Sequence, residues 1–271
     1  MKLKAFILLL LLLNLSCARN QVQSDYNEEP FYFSLNKGGV YKYDGVISKV
    51  SSESINSITS SQLNHNIFLA SHSSMNLMKN SGNIIHRYES KDVITSAVIS
   101  TDETNIFYIN QTGELYKYNL NTSQKNKIDM NLIYPLPVQM IYDQDKNSIF
   151  YHDGFYVYEI DIDNQLRKRI STKLIAIASI AYQASLNRIY FSTGVDGEIY
   201  AIDLNTELTF SFYKPRSANG SLISINSSED QLYFSRTNGR DTIIKSLNLQ
   251  TYEENTVKVL SNIKKINQFS F

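Results

Sequence analysis

The sequence predicts an all-β chain of six like units closed into a ring, and three observations predict it. The first is a triplet of β-branched, leucine or aromatic residues that returns six times. It reads Phe31-Tyr32-Phe33, Ile67-Phe68-Leu69, Ile106-Phe107-Tyr108, Ile149-Phe150-Tyr151, Ile189-Tyr190-Phe191 and Leu232-Tyr233-Phe234. The starts lie 36, 39, 43, 40 and 43 residues apart. A period near 40 made only of strand signals fits one four-stranded antiparallel blade per repeat, the pattern of a β-propeller. The second observation is a strand opened by tyrosine at alternate positions after four of the six triplets. The third is that the two ends of the chain look like complementary parts of one blade.

The clearest unit spans Ala178 to Thr206. Ser179-Ile180-Ala181-Tyr182 is a first strand, and Ser185 and Asn187 lie in the polar turn after it. Ile189-Tyr190-Phe191-Ser192 is the second strand. Thr193 to Gly197 turns the chain, its two glycines free to adopt positive φ. Glu198 to Leu204 is the third strand, Asn205-Thr206 turns again, and Leu208 to Tyr213 is the fourth.

Period-2 spacing puts Tyr200, Ile202 and Leu204 on one sheet face. Tyr116, Tyr118 and Leu120, then Tyr156, Tyr158 and Ile160, are expected in the same places, with Tyr41 and Tyr43 beginning the set. Blades pack on neighbours through both faces, which accounts for 19 tyrosines and 13 phenylalanines without any ligand. Two units depart from the pattern: Met75, Leu77 and Met78 in the second, and Lys245 and Leu247 in the sixth. We read both as drift within the repeat. At the ends, Ile266 to Phe271 resembles a first strand with no successors, while the body begins with a second strand at Phe31. The predicted fold is therefore a six-bladed β-propeller whose C-terminal inner strand closes the ring against the N-terminal strands.

Ile189 to Thr206, with its Ile-Tyr-Phe-Ser strand, glycine turn and Ile-Tyr-Ala-Ile-Asp-Leu-Asn-Thr segment, resembles the YWTD, NHL and related short-repeat propellers. The chain has no Trp, so the Trp-Asp signature of WD40 blades is absent. The resemblance implies architecture and leaves activity open.

The N-terminus carries a different signal. Lys2 and Lys4 precede an unbroken apolar run from Phe6 to Leu13, too short to span a bilayer. Residues 1–16 read as a secretory signal peptide. Cys17 is the single cysteine, set between Ser16 and Ala18. This arrangement resembles a bacterial lipoprotein signal, with Leu13 and Leu15 in the lipobox and Asn14 departing from its strict form. The resemblance implies a diacylglycerol thioether and further acylation, palmitate among the chains, at Cys17. Residues 17–29 lack an apolar period and read as a lipidated flexible tether; residues 30–271 are the expected propeller.

Loss of Lys2 and Lys4 with the signal leaves 24 basic against 26 acidic residues, which gives nucleic acid no basic surface. Enzymatic six-bladed propellers of the lactonase and gluconolactonase type hold a divalent metal with channel carboxylates and amides. The matching inner-strand positions here are expected at Ser57, Ser96, Gln139, Ser179, Ser224 and Asn267, none of them charged. Asp143-Gln144-Asp145-Lys146-Asn147 begins like a calcium loop but has Ser148 and Gly154 where that loop needs Gly and Glu. Asp161 and Asp163 read as a solvated turn. The histidines at 65, 72, 86 and 152 lack metal-ligand spacing. There is no phosphate loop and no G-x-S-x-G elbow. No catalytic, cofactor or metal residue is assigned; Cys17 is the one predicted site.

These readings predict a non-enzymatic protein-interaction module of the bacterial cell envelope, lipid-anchored to the outer membrane and monomeric apart from its protein partner. The lipoprotein propeller subunit of the β-barrel assembly machinery is similar in architecture and anchoring, though it has eight blades and another repeat. The alternatives are a surface-exposed binder of a ligand or host factor, or a lactonase-like hydrolase.

Overall fold

The computed structural model describes residues 30–35, 38–60, 64, 66–128, 130–171, 176–215, 221–263 and 266–270. The expected signal peptide, Cys17 and the expected tether lie outside them. Every regular element among the described residues is a strand. Blade 1 contains β1 (Phe31–Leu35), β2 (Val40–Tyr43) and β3 (Ile47–Ser51). Blade 2 is β4 (Ser57–Ser60), β5 (Ile67–Ala70), β6 (Ser74–Met78) and β7 (Ile84–Glu89). Blade 3 is β8 (Ile94–Ile99), β9 (Asn105–Asn110), β10 (Leu115–Asn119) and β11 (Lys125–Lys127). Blade 4 is β12 (Gln139–Asp143), β13 (Ser148–His152), β14 (Val157–Asp161) and β15 (Leu166–Arg169). Blade 5 is β16 (Ile177–Gln183), β17 (Arg188–Thr193), β18 (Ile199–Asp203) and β19 (Leu208–Tyr213). Blade 6 is β20 (Ile223–Ile225), β21 (Gln231–Asn238), β22 (Asp241–Asn248) and β23 (Glu254–Leu260). The last strand, β24 (Ile266–Ser270), pairs antiparallel with β1, so blade 1 reads β24-β1-β2-β3. Neighbouring inner strands touch all the way round, from β24 through β4, β8, β12, β16 and β20 back to β24. The protein is a six-bladed β-propeller, and the expected clasp closes it.

The triplets occupy the second strand of every blade, and their alternation explains why all three positions are apolar. Phe107 packs into the cluster shared by blades 3 and 4, while Ile106 and Tyr108 pack into the one shared by blades 2 and 3. Phe150 likewise faces blade 5, and Ile149 and Tyr151 face blade 3. The same division holds for Tyr32, Phe68, Tyr190 and Tyr233 against their flanking residues. The core is thus a ring of inter-blade layers, each built from two blades. Full burial of each such side chain contributes about 1.5–3 kcal/mol.

The tyrosine strand needs one correction. Opposite the third triplet residue stand Tyr41, Tyr116, Tyr158 and Tyr200, and each stacks on its cross-strand neighbour. Ring centroids are 5.6, 5.2, 4.8 and 5.3 Å apart, with interplanar angles of 10–18°. Tyr158, not Tyr156, is therefore the equivalent of Tyr116; aligning the sequence on the first tyrosine slips the register by one alternation. Blades 2 and 6 carry Asn76 and Lys245 at this position. Asn76 Nδ2 donates to Glu53 Oε2 at 3.1 Å, and Lys245 pairs with Glu254, which also accepts the Tyr213 hydroxyl. Polar bridges replace the stacked rings where the repeat has drifted.

The turns repeat more faithfully in backbone than in sequence. Glu103, Asn147, Asn187 and Glu229 follow the first strands, and Ser123, Gln165, Glu207 and Tyr252 follow the third strands, all with φ between 47 and 60°. At Gly113 glycine is required twice over. Its φ is +80°, and a Cβ there would lie 2.7 Å from the Ile133 carbonyl oxygen. Gly154 has φ +98° with open space around it. Gly113→Ala is expected to lower stability by about 2 kcal/mol more than Gly154→Ala, because it adds a backbone clash to the strain of positive φ. Urea unfolding of both variants checks this; equal midpoints would refute the clash.

Candidate functional site

Inner strands leave one edge without a neighbouring strand, and those edges surround a central channel of about 540 Å³. That volume is within the range of small-ligand sites. Of the six predicted lining positions, Ser57, Gln139 and Ser224 line the channel. Ser96 and Ser179 turn away from it and are buried between blades. The expected ring also slips at two places. Leu222, not Ser224, lies opposite Ser235, whose N–H donates to the Leu222 carbonyl at 2.9 Å. In blade 1, Gln268 pairs with Ser34, and an irregularity in the ladder leaves Asn267 out of register.

Ser57, Gln139 and Ser179 hydrogen-bond to the backbone of an adjacent blade. The Gln139 amide spans both polar groups of Ile180: Oε1 accepts from its N–H at 2.9 Å, and Nε2 donates to its carbonyl at 3.1 Å. Ser179 donates to Gln139 Oε1 and to the Ile223 carbonyl. Ser57 Oγ accepts from Ala97 N–H at 3.2 Å, and Asn56 Nδ2 donates to the carbonyls of Ile94 and Thr95. Ser270 Oγ accepts from Ser60 N–H at 2.9 Å, which ties the closing strand to blade 2. Side chains from one blade thus satisfy the open strand edge of the next.

Charge collects at one mouth, where first strands turn into second strands. Asp102, Asp143, Asp145 and Glu229 line it. Asp102 accepts from Ser100 and Thr104; burial pulls its carboxyl up, but these hydrogen bonds outweigh it and hold the group below the usual range. Asp143 accepts the Tyr182 hydroxyl at 2.7 Å; burial first and this bond second push the phenol up. Burial followed by the nearby carboxylates raises Tyr142 to about 12. Glu229 accepts the N–H groups of Ala184 and Ser185, both at 2.9 Å. Asp143 and Glu229 thus bridge blades, whereas the Asp102 carboxylate bonds within its own, and together the carboxylates make this mouth acidic. Gln144 to Asn147 forms the turn between β12 and β13. Among the described residues, no three His, Cys, Asp or Glu side chains converge as a metal site.

His65 lies outside the described residues. His72 meets the Ile94 carbonyl and His86 the Tyr118 hydroxyl. His152 is fully buried, its Nδ1 accepting from Gly154 N–H at 3.3 Å while Nε2 has no partner. Burial holds its pKa down to about 4, against a small upward pull from Asp153.

The opposite face, carrying the second-to-third turns and the links between blades, exposes apolar side chains over blades 3 to 5 among polar ones such as Gln111, Asn131 and Asp196. Val93, Leu132, Tyr134, Val138, Phe155 and Val195 all lie on those connections, and Leu132, Tyr134, Val138 and Phe155 are 51–52% exposed. Backbone bonds from Val138 N–H to the His152 carbonyl and from Ile133 N–H to the Gly113 carbonyl seat the loop between blades 3 and 4 on adjacent turns. Sequence periodicity did not mark this arc, since its members are scattered through irregular connections.

No protein-family model and no curated protein matches the chain. Among solved structures, 1629 chains match, too broad a group to single out one activity. One, from the crystal structure of a nidogen/laminin complex, has a TM-score of 0.67 at 9% identity and covers 89% of this chain and 97% of its own. Another, TolB from Acinetobacter baumannii, has a TM-score of 0.67 at 14% identity and covers 90% of this chain and 66% of its own. At such identities the likeness is one of fold: the class is the β-propeller of six four-stranded blades.

Two outcomes are expected. Gln139→Glu keeps the shape but sets a carboxylate against the Ile180 carbonyl, and should cost about 1–2 kcal/mol in chemical denaturation; an unchanged midpoint would remove the clamp. For His152 the unfolded imidazole binds a proton near pH 6.5 while the folded one resists until about 4. Its stabilising contribution is therefore complete above pH 6.5 and lost as pH falls toward 4, by about 3 kcal/mol. His152→Gln should flatten the stability profile across that window, measured by denaturation at stepped pH.

Proposed function

We propose that the protein is an exported lipoprotein, anchored to the outer membrane through Cys17, whose propeller is a non-enzymatic protein-interaction module of the cell envelope. The observation that carries this reading is the apolar arc of blades 3 to 5. Six exposed apolar side chains on connections held by a rigid ring are the kind of surface that marks a binding face. The solved nidogen/laminin complex supports it as a propeller of similar fold from a structure containing a protein complex. A second reading, a surface-exposed binder of small cationic ligands, draws on the acidic mouth of the channel.

Crosslinking in cells with a C-terminal tag, followed by mass spectrometry, tests the first reading. Leu132→Glu with Phe155→Glu should lose the envelope partner while the melting temperature holds, since both residues are exposed. Cys17→Ser should abolish acyl labelling and membrane sedimentation. Full partner recovery by the arc variant overturns the interaction face, and labelling that survives Cys17→Ser overturns the anchor.

A further inference from the structure

Round the six blades, the residue after the triplet is Ser34, Ala70, Ile109, His152, Ser192 and Ser235. Only blade 4 puts a titratable side chain there. Alternation along β13 turns His152 to the same side as Phe150, toward blade 5. Across the sheet it stands between Gln139, whose amide is bonded to Ile180, and Val157, which packs in the same cluster as Ile177. Because Nδ1 accepts from Gly154 N–H, the neutral ring carries its proton on Nε2, which has no acceptor. A second proton would set a donor on Nδ1 against that N–H and leave a cation buried.

The ionisable groups around His152 are already engaged, among the described residues. Asp153 accepts the N–H groups of Phe155 and Tyr156, both at 2.8 Å, and the Tyr158 hydroxyl at 3.1 Å. On β14, Glu159 lies opposite Lys168, and Asp161 accepts from Asn164. Toward the mouth, Asp143 takes the Tyr182 hydroxyl and Lys146 lies over the Phe150 ring. Blade 5 adds Tyr200 and otherwise apolar residues such as Ile177, Phe191 and Ile202. The same corner fastens the apolar arc. The His152 carbonyl accepts Val138 N–H at 2.8 Å, the Gly154 carbonyl accepts Ile177 N–H at 2.7 Å, and the exposed Phe155 follows directly.

We propose that His152 is an acid-responsive latch on the arc: proton uptake by its ring releases the β13–β14 turn and the loop before β12, and so unseats Phe155 and Val138. This rests on the reading of the arc as the binding face, which the latch would then regulate. The open form binds protons more readily, since the free imidazole titrates near 6.5 and the closed one at about 4. Acid therefore favours opening, and linkage makes the opening equilibrium about twentyfold larger at pH 5 than at pH 7.

Hydrogen exchange of the Cys17→Ser protein needs no partner, so it reads the latch separately from the binding face. After correction for intrinsic exchange rates, peptides covering residues 133–138 and 152–156 should lose about twentyfold protection between pH 7 and pH 5. Their rates should be insensitive to low urea, the mark of local opening. His152→Gln should remove that loss. Should this variant fold poorly, His152→Ser supplies the residue that blades 5 and 6 already carry there. Unchanged protection in the parent, an equal loss in the variants, or exchange that rises with urea as it does in β21 and β22 overturns the latch.

Discussion

Every blade of this protein is apolar on both faces, and only a neighbouring blade covers each face. That requirement forces the sheets into a ring and forces the ring to close. Without β24 on β1, the layer joining Phe31, Phe33, Ile266 and Phe269 to Tyr233 and Ile244 would open to water. The clasp joins residues more than 200 positions apart, at Ser60 and Ser270 among others. With no disulfide available to a chain of one cysteine, burial between blades and the hydrogen bonds between inner strands hold the ring.

Closure also gives the polar residues of the inner strands their purpose. A ring of six inner strands exposes six unpaired edges, and a strand edge left unsatisfied is costly. Asn56, Ser57, Gln139 and Ser179 turn their side chains sideways onto the next blade's backbone; at the mouth Asp143 accepts the Tyr182 hydroxyl of the next blade, and Glu229 accepts backbone N–H groups of the preceding one. Residues that look like the lining of a reactive channel are in large part joints between blades. The two loop faces differ as a result: one is acidic and tied down, the other carries the exposed apolar arc.

The drifted blades show how much variation the architecture absorbs. Stacked aromatic pairs recur in blades 1, 3, 4 and 5, but Asn76 with Glu53 and Lys245 with Glu254 fill the same layer in blades 2 and 6. The turns behave likewise: Glu and Asn share the left-handed position after the first strands, and Ser, Gln, Glu and Tyr the one after the third. Backbone geometry is preserved where side-chain identity is not, because the ladder and the ring fix the turn while solvent tolerates the side chain.

The repeat length, the second strands, the blade count and the closing strand were all legible in the amino-acid order, because apolar alternation is a local property of a strand buried on both sides. Register was less legible. Tyr156 slipped against Tyr158, and Ser224 and Asn267 against Leu222 and Gln268, since period-2 spacing names a face without naming the cross-strand partner, and an irregularity shifts the count. The candidate site was legible only as a set of neutral inner-strand residues. Which of them line the channel, which bridge blades, and how Val93, Leu132, Tyr134, Val138, Phe155 and Val195 come to share one face depend on how six separate units meet. That arrangement is a property of the closed ring, which brings together residues that no local stretch of sequence relates.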